Sequence, residues 1–278
     1  MENRTKKRPE KPFSVFLFAL TIILTLTVYD VLLEKIAPNV RDVALQAPLW
    51  KLGIVFFVAH FFFGIAEFFF HRYMLHSPFP GLGRLYRQHN LHHGLTNITL
   101  IGVRDNRGKV FSHYPILEEK QHEASYFPWY ALGVFLVAFL PAIIFFQWLF
   151  PSWPIVFGTP LALAFSLSLY EIVHAIEHWS FATFWKPRVF HPTFGKFWTW
   201  FYCFHLRHHA NVMTNENISG FLATPVADVL FGTYAPWSRV FLHGEHVPES
   251  EFRANPPKPC WLIRFLDSKL LSPQTSPS

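Results

Sequence analysis

Four stretches of the chain carry no Asp, Glu, Lys or Arg and are rich in large apolar side chains. They cover residues 13–29, 52–66, 127–150 and 153–170, and the second continues in the same apolar pattern past Glu67 to Phe70. The third would span about 36 Å as a helix at about 1.5 Å per residue, enough to cross a bilayer. The pattern therefore predicts four transmembrane helices, the last two joined as an antiparallel hairpin by Pro151 and Ser152.

Basic residues are unevenly distributed among the segments that these helices separate. In chain order the segments contain five, three, seven, no and nine Lys or Arg residues. Because basic residues accumulate on the cytoplasmic side of a membrane, both termini and both polar regions that follow the second and fourth helices are predicted to be cytoplasmic. The pattern leaves a bacterial inner membrane and the endoplasmic reticulum both open. Residues 1–12 are predicted to be a disordered basic N-terminus and residues 266–278 a disordered tail.

The composition agrees with a membrane protein. Hydrophobic residues make up 51% of the chain and charged residues only 15%, whereas soluble domains contain about 25% charged residues. The two cysteines, Cys203 and Cys260, form no CxxC pattern, which argues against a disulfide scaffold and against a thiolate metal site. The net charge of +6 fits a charge bias at one membrane face, and no motif indicates nucleic-acid binding. We predict an all-α membrane protein, one domain over residues 13–265, with a cytoplasmic helical cap.

Histidine changes this picture, because ten of the sixteen histidines fall in four short motifs. The motifs are HRYMLH with His71 and His76, HNLHH with His89, His92 and His93, HAIEH with His174 and His178, and HLRHH with His205, His208 and His209. Buried imidazoles without partners are costly, so such density indicates a shared task. The motifs also follow the ends of the second and fourth predicted helices, which would gather the ten rings at one edge of the bilayer.

The spacing within each motif is typical of helical metal ligands. Residues at i, i+3 and i+4 share one face of a helix, so each HxxHH motif would present three imidazoles, and His174 and His178 would form a pair. The exception is the pair of His71 and His76, which lie about 140° apart on an α-helix. Those two rings can meet only if the helix ends near them, and the sequence SPFPG at 77–81 favours such an end.

Ten imidazoles exceed the needs of one ion but suit two ions with about five ligands each. Imidazole binds Fe, Cu, Zn and Ni, and a structural zinc site closes with four ligands. The excess therefore favours a dinuclear redox site with room for oxygen. Carboxylates lie near the motifs, and we predict that Glu67, Glu171 and Glu177 orient the imidazoles from behind. His60 lies within the second helix and is predicted to bond to a neighbouring helix, and His191 is the best further candidate for the site.

The four motifs, in this order, resemble those of the fatty acid hydroxylase / sterol desaturase superfamily of integral membrane di-metal oxygenases. The resemblance covers about residues 50–235, and LFGT at 230–233 is similar to the closing motif of the family. The four residues between His71 and His76 resemble the fatty acid 2-hydroxylase branch. The 26 residues between His178 and His205 are more than that branch has, and no HPGG haem motif occurs.

The resemblance implies that the ten histidines bind two iron ions, for which zinc can substitute, and that O2 is a co-substrate. It implies hydroxylation of an unactivated C–H bond of a lipid, with electrons from a separate cytochrome b5 or ferredoxin type donor. A desaturase of the same superfamily remains an alternative, because both reactions begin with the same hydrogen abstraction. A metal transporter or a zinc-dependent membrane hydrolase is the alternative of another class.

Overall fold

The computed structural model describes residues 15–118, 120–121, 125–254 and 258–271. Four of its helices are long and apolar enough to cross a membrane, which confirms the number and places of the predicted apolar helices. They are α1 (Val15–Ile36), α3 (Leu49–Phe70), α5 (Ala131–Leu149) and α6 (Ile155–Glu177). The predicted disordered residues 1–12 and residue His122 lie outside the described residues.

Helices α3 and α6 form the centre of this apolar bundle. They pack closely because Gly158 of α6 has no side chain: a Cβ there would lie 2.5 Å from Cγ1 of Val55. Helix α5 lies against α6 after the short turn at 151–154, as the predicted antiparallel hairpin requires. A core of Phe63, Leu132 and Leu163 fills the space between α3, α5 and α6. This packing fixes the ends of α3 and α6, from which two histidine motifs continue.

Helix α2 (Pro38–Leu45) lies between α1 and α3, and its Ala44 packs against Val156 at the start of α6. The remaining elements form a cap at the opposite end, where α3 and α6 end. In chain order the helices of the cap are α4 (Gly83–Leu95), α7 (Lys186–Val189), α8 (Gly195–Ala210), α9 (Val226–Phe231), α10 (Glu249–Phe252) and α11 (Trp261–Leu270). Two π-helical turns, His71–Leu75 and Phe181–Trp185, precede α4 and α7. Trp185, Tyr202 and Leu206 are buried in the core of the cap, which holds α8 in place.

The described residues are mostly helical, as predicted, but the cap also contains a three-stranded antiparallel sheet, which the prediction of an all-α fold did not include. Strands β1 (Ile98–Arg104) and β2 (Arg107–Ser112) form a hairpin, and β3 (His246–Pro248) pairs with β2. Asp105 and Asn106 make the turn with φ of 50° and 61°, which is the conformation of a tight two-residue hairpin turn. Alternating burial of Ile98 and Leu100 anchors the first strand on the core. The Asp-Asn pair between β-branched residues was the sequence evidence for this hairpin.

A loop after α8 runs back along the apolar helices and supplies hydrogen-bond partners to two polar residues of α3, Glu67 and His60. The carboxylate of Glu67 accepts hydrogen bonds from the amides of Ile218, Ser219 and Gly220. One turn further back the backbone carbonyl of Gly64 accepts a bond from Asn217, and His60 Nε2 accepts one from the amide of Leu222 at 3.0 Å. Irregular backbone among apolar helices needs such internal partners. The loop is thereby fixed against α3 over two helical turns.

Residues 266–270, which the predicted C-terminal tail includes, belong to helix α11. Ile263 is buried against Phe68 and Ala227, and Asp267 binds Arg72, so tertiary contacts hold this helix. Residues 272–278 lie outside the described residues.

Candidate metal centre

The ten predicted histidines meet in two compact groups of five. Group A contains His71, His76, His89, His93 and His208, and group B contains His92, His174, His178, His205 and His209. Within each group the candidate ligand atoms lie within 4.8 Å of one another, and each group could hold a metal ion. The groups are adjacent, because the rings of His93 and His209 stack across them with centroids 4.2 Å apart.

Each HxxHH motif divides its rings between the two groups. On α4, His89 and His93 enter group A while His92 enters group B. On α8 the assignment is reversed, since His205 and His209 enter group B and His208 enters group A. Positions i and i+4 lie about 40° apart around a helix, whereas i+3 lies on the other side of i. Each helix therefore contributes a pair to one group and a single ring to the other.

The first motif enters group A through a change of helix type. The α-helix α3 ends at Phe70, and residues His71–Leu75 form a π-helical turn with His76 at its end. A π turn closes i to i+5 hydrogen bonds, so residues five positions apart come to the same side. The ring centroids of His71 and His76 are consequently 5.0 Å apart. The five-residue spacing that did not fit an α-helix is thus accommodated without a break in the chain.

Backbone carbonyls fix the orientation of three rings. Nδ1 of His178 is 2.8 Å from the carbonyl oxygen of Tyr114 and Nδ1 of His208 is 2.8 Å from that of Thr214. Nδ1 of His71 likewise faces the carbonyl oxygen of Glu216. A carbonyl can only accept, so each Nδ1 carries the hydrogen. In the neutral ring the opposite nitrogen, Nε2, then presents a lone pair to the group.

Two hydroxyls orient two further rings in the same way. Ser125 donates to the carbonyl of Gln121 at 2.6 Å, and Thr96 donates to the carbonyl of His92 at 2.6 Å. Each hydroxyl has one hydrogen, so the 2.8 Å contact of Ser125 with His92 Nδ1 is a bond donated by the ring. The 3.0 Å contact of Thr96 with His209 Nδ1 is donated by that ring too. Five imidazoles thus direct unprotonated Nε2 atoms inward.

The spacing of the inward nitrogens fits coordination of a cation. Seven pairs of Nε2 atoms within the groups lie 3.0 to 3.3 Å apart. Two nitrogens about 2.1 Å from one ion are separated by about 3.0 Å at a right angle and about 3.4 Å at the tetrahedral angle. Lone pairs directed at one another repel, and a cation between them converts this repulsion into attraction. The donor set therefore fits a metal ion in either group.

The rings outside the apolar helices are also in the protonation state that metal binding needs. Burial lowers the pKa of His178 to about 4, although the bond to the Tyr114 carbonyl acts in the opposite direction. Burial likewise places the pKa values of six other rings well below their usual range: His76, His89, His92, His205, His208 and His209. Neutral imidazoles bind metals without first releasing a proton.

Several carboxylates are buried in the part of the chain that the structure describes. Glu171, Glu177, Glu216 and Asp228 are at most 2% exposed. One oxygen of Glu171, of Glu177 and of Glu216 has no hydrogen-bond partner among the described residues. Buried anions are costly unless cations compensate them. Arg72 compensates Glu216, and burial raises the pKa of Asp228 to about 6, which favours its neutral form.

The predicted role of the carboxylates near the motifs needs correction. Glu67 binds the loop amides at 218–220 rather than an imidazole, and Glu171 accepts a bond from the amide of Phe127 at 3.0 Å. Glu177 is buried, but no hydrogen bond joins it to a ring among the described residues. Proximity along the helix did not place Glu67 and Glu171 behind the rings, because backbone amides of other segments occupy both carboxylates.

The sequence analysis missed Glu216, a buried glutamate whose backbone carbonyl lies behind a ring. Glu216 lies in the loop that follows α8, and its carbonyl receives the Nδ1 hydrogen of His71. Its carboxylate binds the buried guanidinium of Arg72 at 2.6 Å. Arg72 also makes two bonds to Asp267, at 2.9 and 2.7 Å. The one indication in the sequence was Arg72 inside the first motif, since an arginine among ligands requires an anion.

The other histidines remain outside both groups, as far as the described residues show. His60 bonds through Nδ1 to Ser166 of α6 at 2.8 Å, which confirms the predicted bond to a neighbouring helix. His191 is exposed, and its Nδ1 accepts bonds from the amides of Thr193 and Phe194. His191 is therefore a turn residue rather than a further member of the site.

Comparisons with known proteins identified no relative. No family model, no curated protein and no solved structure matches this chain.

Proposed function

We propose that the protein is a membrane-bound di-iron oxygenase that hydroxylates an unactivated C–H bond of a lipid. The observation that carries this proposal is the pair of adjacent five-imidazole groups buried at the ends of apolar helices. Four ligands suffice for structural zinc, and five imidazoles for each ion favour a redox metal such as iron. The order and spacing of the four histidine motifs, which resemble the fatty acid hydroxylase / sterol desaturase superfamily, support the same assignment.

The residues of the chain hold and shield the metals in this proposal. Groups A and B would each hold one iron, and carbonyls and hydroxyls behind the rings keep the Nε2 atoms directed inward. The iron pair, when bound, supplies O2 activation with two electrons from a separate donor of cytochrome b5 or ferredoxin type. Nine of the ten ligands are buried, which keeps bulk water away from the reacting atoms. Only His93 is partly exposed, and we place the opening of the site beside it.

The position of the groups favours a lipid as the substrate. His71 directly follows α3, and His174 and His178 lie at the end of α6. In a bilayer this end would lie near the headgroups, so a lipid can keep its polar head in water while its chain reaches the metals. We place this end on the cytoplasmic side on the basis of the distribution of basic residues.

The alternatives of another class receive less support from the same geometry. Transporter ligands lie near the middle of their helices, whereas these histidines follow the helix ends. A zinc hydrolase needs three protein ligands and a position for water, whereas each group offers five nitrogens. A desaturase would use the same ligands, so product analysis has to separate it from a hydroxylase.

Metal and lipid analysis test the proposal together. We expect about two irons per chain in protein purified from its own membrane, in line with the two groups. Lipids of a host that expresses the chain should gain a species heavier by one oxygen atom, and the His208→Ala variant should not produce it. One zinc per chain without iron would contradict the oxygenase, and a species lighter by two hydrogens would identify a desaturase.

A further inference from the structure

Helix α11 presents two different faces. Ile263 is fully buried against Phe68 at the end of α3, and Asp267 on the same side binds Arg72. On the outer side Trp261 is 70% exposed and Phe265 47% exposed, and their rings stack with centroids 5.8 Å apart. A stacked aromatic pair left in water is unfavourable, so this outer side needs a cover.

The surroundings of the outer face indicate what covers it. Cys260 donates its amide hydrogen to the carbonyl of Phe231 at 2.8 Å, so the start of α11 lies at the end of α9. Helix α9 contributes the exposed apolar side chains of Val229 and Leu230, and α11 contributes that of Leu262. Exposed basic residues accompany this apolar surface at Lys258, Arg264 and Lys269. Aromatic and apolar side chains with flanking Lys and Arg are typical of helices that lie in a bilayer interface.

The inner face of α11 holds the π turn that carries two ligands of group A. Both carboxylate oxygens of Asp267 bind the Arg72 guanidinium, and the hydroxyl of Tyr73 donates to the same carboxylate at 2.9 Å. At the end of the turn the Ser77 hydroxyl donates to the carbonyl of Leu270 at 3.0 Å. These contacts lie beside His71 and His76, and a π turn depends on such support because its geometry is rarely stable alone.

We propose that α11 lies on the bilayer surface with its aromatic face among the lipid headgroups and positions His71 and His76 from outside through Asp267 and the Leu270 carbonyl. Asp267 is a positioning residue: it holds Arg72, which binds Glu216, whose carbonyl receives the Nδ1 hydrogen of His71. This inference rests on the proposed function, which supplies both the membrane location and the bound metal. Contact with lipid would thereby stabilise the geometry of group A.

Spin labels test the lipid contact in vesicles of phosphatidylethanolamine and phosphatidylglycerol. The label is placed at Phe265→Cys or, as a control on the exposed cap helix α10, at Ser250→Cys, with Cys260→Ser removing the accessible native thiol. A third label at Phe62→Cys, on the exposed side of α3, reports the bilayer itself. Collisions with O2, which is concentrated in lipid, are compared with collisions with a water-soluble nickel chelate.

We expect the labels at 265 and 62 to favour O2 and the label at 250 to favour the nickel chelate. If the label at 265 behaves like that at 250, α11 is not on lipid. If the label at 265 is shielded from both reagents, protein such as a second copy of the chain covers it. Either result overturns the inference. Nickel access at position 62 would instead contradict the membrane location in the proposed function.

Metal content tests the positioning role without reference to turnover. Asp267→Asn removes the charge that holds Arg72, and Asp105→Asn in the exposed hairpin turn is the matched control. Loss of a group that orients a ligand weakens metal binding about 10–100-fold, so the metal retained against a chelator should fall in Asp267→Asn and stay unchanged in Asp105→Asn. Equal retention overturns the inference. If Asp267→Asn does not fold, Ser77→Ala, which removes a single bond beside His76, should show a smaller loss, and no loss there overturns it equally.

Discussion

The Nε2 atom of His76 lies 3.2 Å from the Nε2 atom of His208, although 132 positions separate the two residues. Nδ1 of His208 bonds to the carbonyl of Thr214, so its Nε2 carries a lone pair. Such a nitrogen at this distance from a second imidazole is positioned to share a cation with it. This contact joins the first and last histidine motifs, so each motif needs the other to complete group A.

Loss of His208 should therefore remove metal, whereas loss of an exposed histidine should not. We expect His208→Ala to lose the metal of group A and to form no product. His243→Ala is the control, because His243 belongs to neither group. Metal analysis of both purified variants provides the measurement. Full metal content in His208→Ala would show that group A is not a binding site.

Thr96 should tune metal binding although it cannot bind the ion. Thr96→Val keeps the shape of the side chain but leaves Nδ1 of His209 without an acceptor. Groups of this kind contribute about 10–100-fold to metal affinity. Competition with a chelator measures the loss, and Thr99→Val on the exposed side of β1 is the control. Equal affinity in the two variants would contradict the hydrogen-bond assignment.

The metal-free protein should lose stability in acid. Burial keeps the pKa of His178 at about 4 in the folded state, against a usual value of 6.5, and it also lowers the pKa of His205. The unfolded chain therefore binds more protons below about pH 6.5, and each such ring reduces the free energy of unfolding by about 1.4 kcal/mol per pH unit. The stability is present above that pH and is lost as the pH falls below it.

Thermal unfolding of the chelator-treated protein measures this effect. The Tm should be constant from about pH 8 to about pH 7 and should fall steeply toward about pH 5. Added metal should raise the Tm at neutral pH, because it binds the folded state alone. A Tm that does not change between about pH 7 and about pH 5 would show that the rings are not buried as neutral groups.

Gly64 should tolerate no side chain, in contrast to another glycine of the same helix. A Cβ at Gly64 would lie 2.8 Å from the carbonyl carbon of Gly220, whereas one at Gly53 meets nothing within 4 Å. Gly64→Ala should cost about 1–3 kcal/mol by displacing the loop, and Gly53→Ala should be neutral or stabilising by up to about 1 kcal/mol. Unfolding in detergent compares the two. Similar stability would mean that the loop does not approach α3.

The local patterns of the sequence were sufficient for the four apolar helices and for the identity of the candidate ligands. A long uncharged run predicts an apolar helix at any place in the chain. Spacing at i, i+3 and i+4 determines which rings project from one side of α4 or α8. The same local reasoning placed His60 against a neighbouring helix, which the bond to Ser166 confirms. The hairpin at Asp105 and Asn106 was missed, although its turn residues were a local indication.

What tertiary structure alone decided is which ring joins which group and what lies behind each ring. The division of each HxxHH motif between the two groups depends on how α4 and α8 pack against one another. The spacing of three or four residues within a motif does not reveal that packing. Sequence proximity assigned Glu67 and Glu171 to the rings, yet those carboxylates bind backbone amides, and Glu216 and Asp267 reach the first motif from far along the chain. The sequence by itself determined the donors, because side-chain chemistry and helical period are local. Their partners depend on long-range packing, because hydrogen bonds form between atoms that are close in space rather than along the chain.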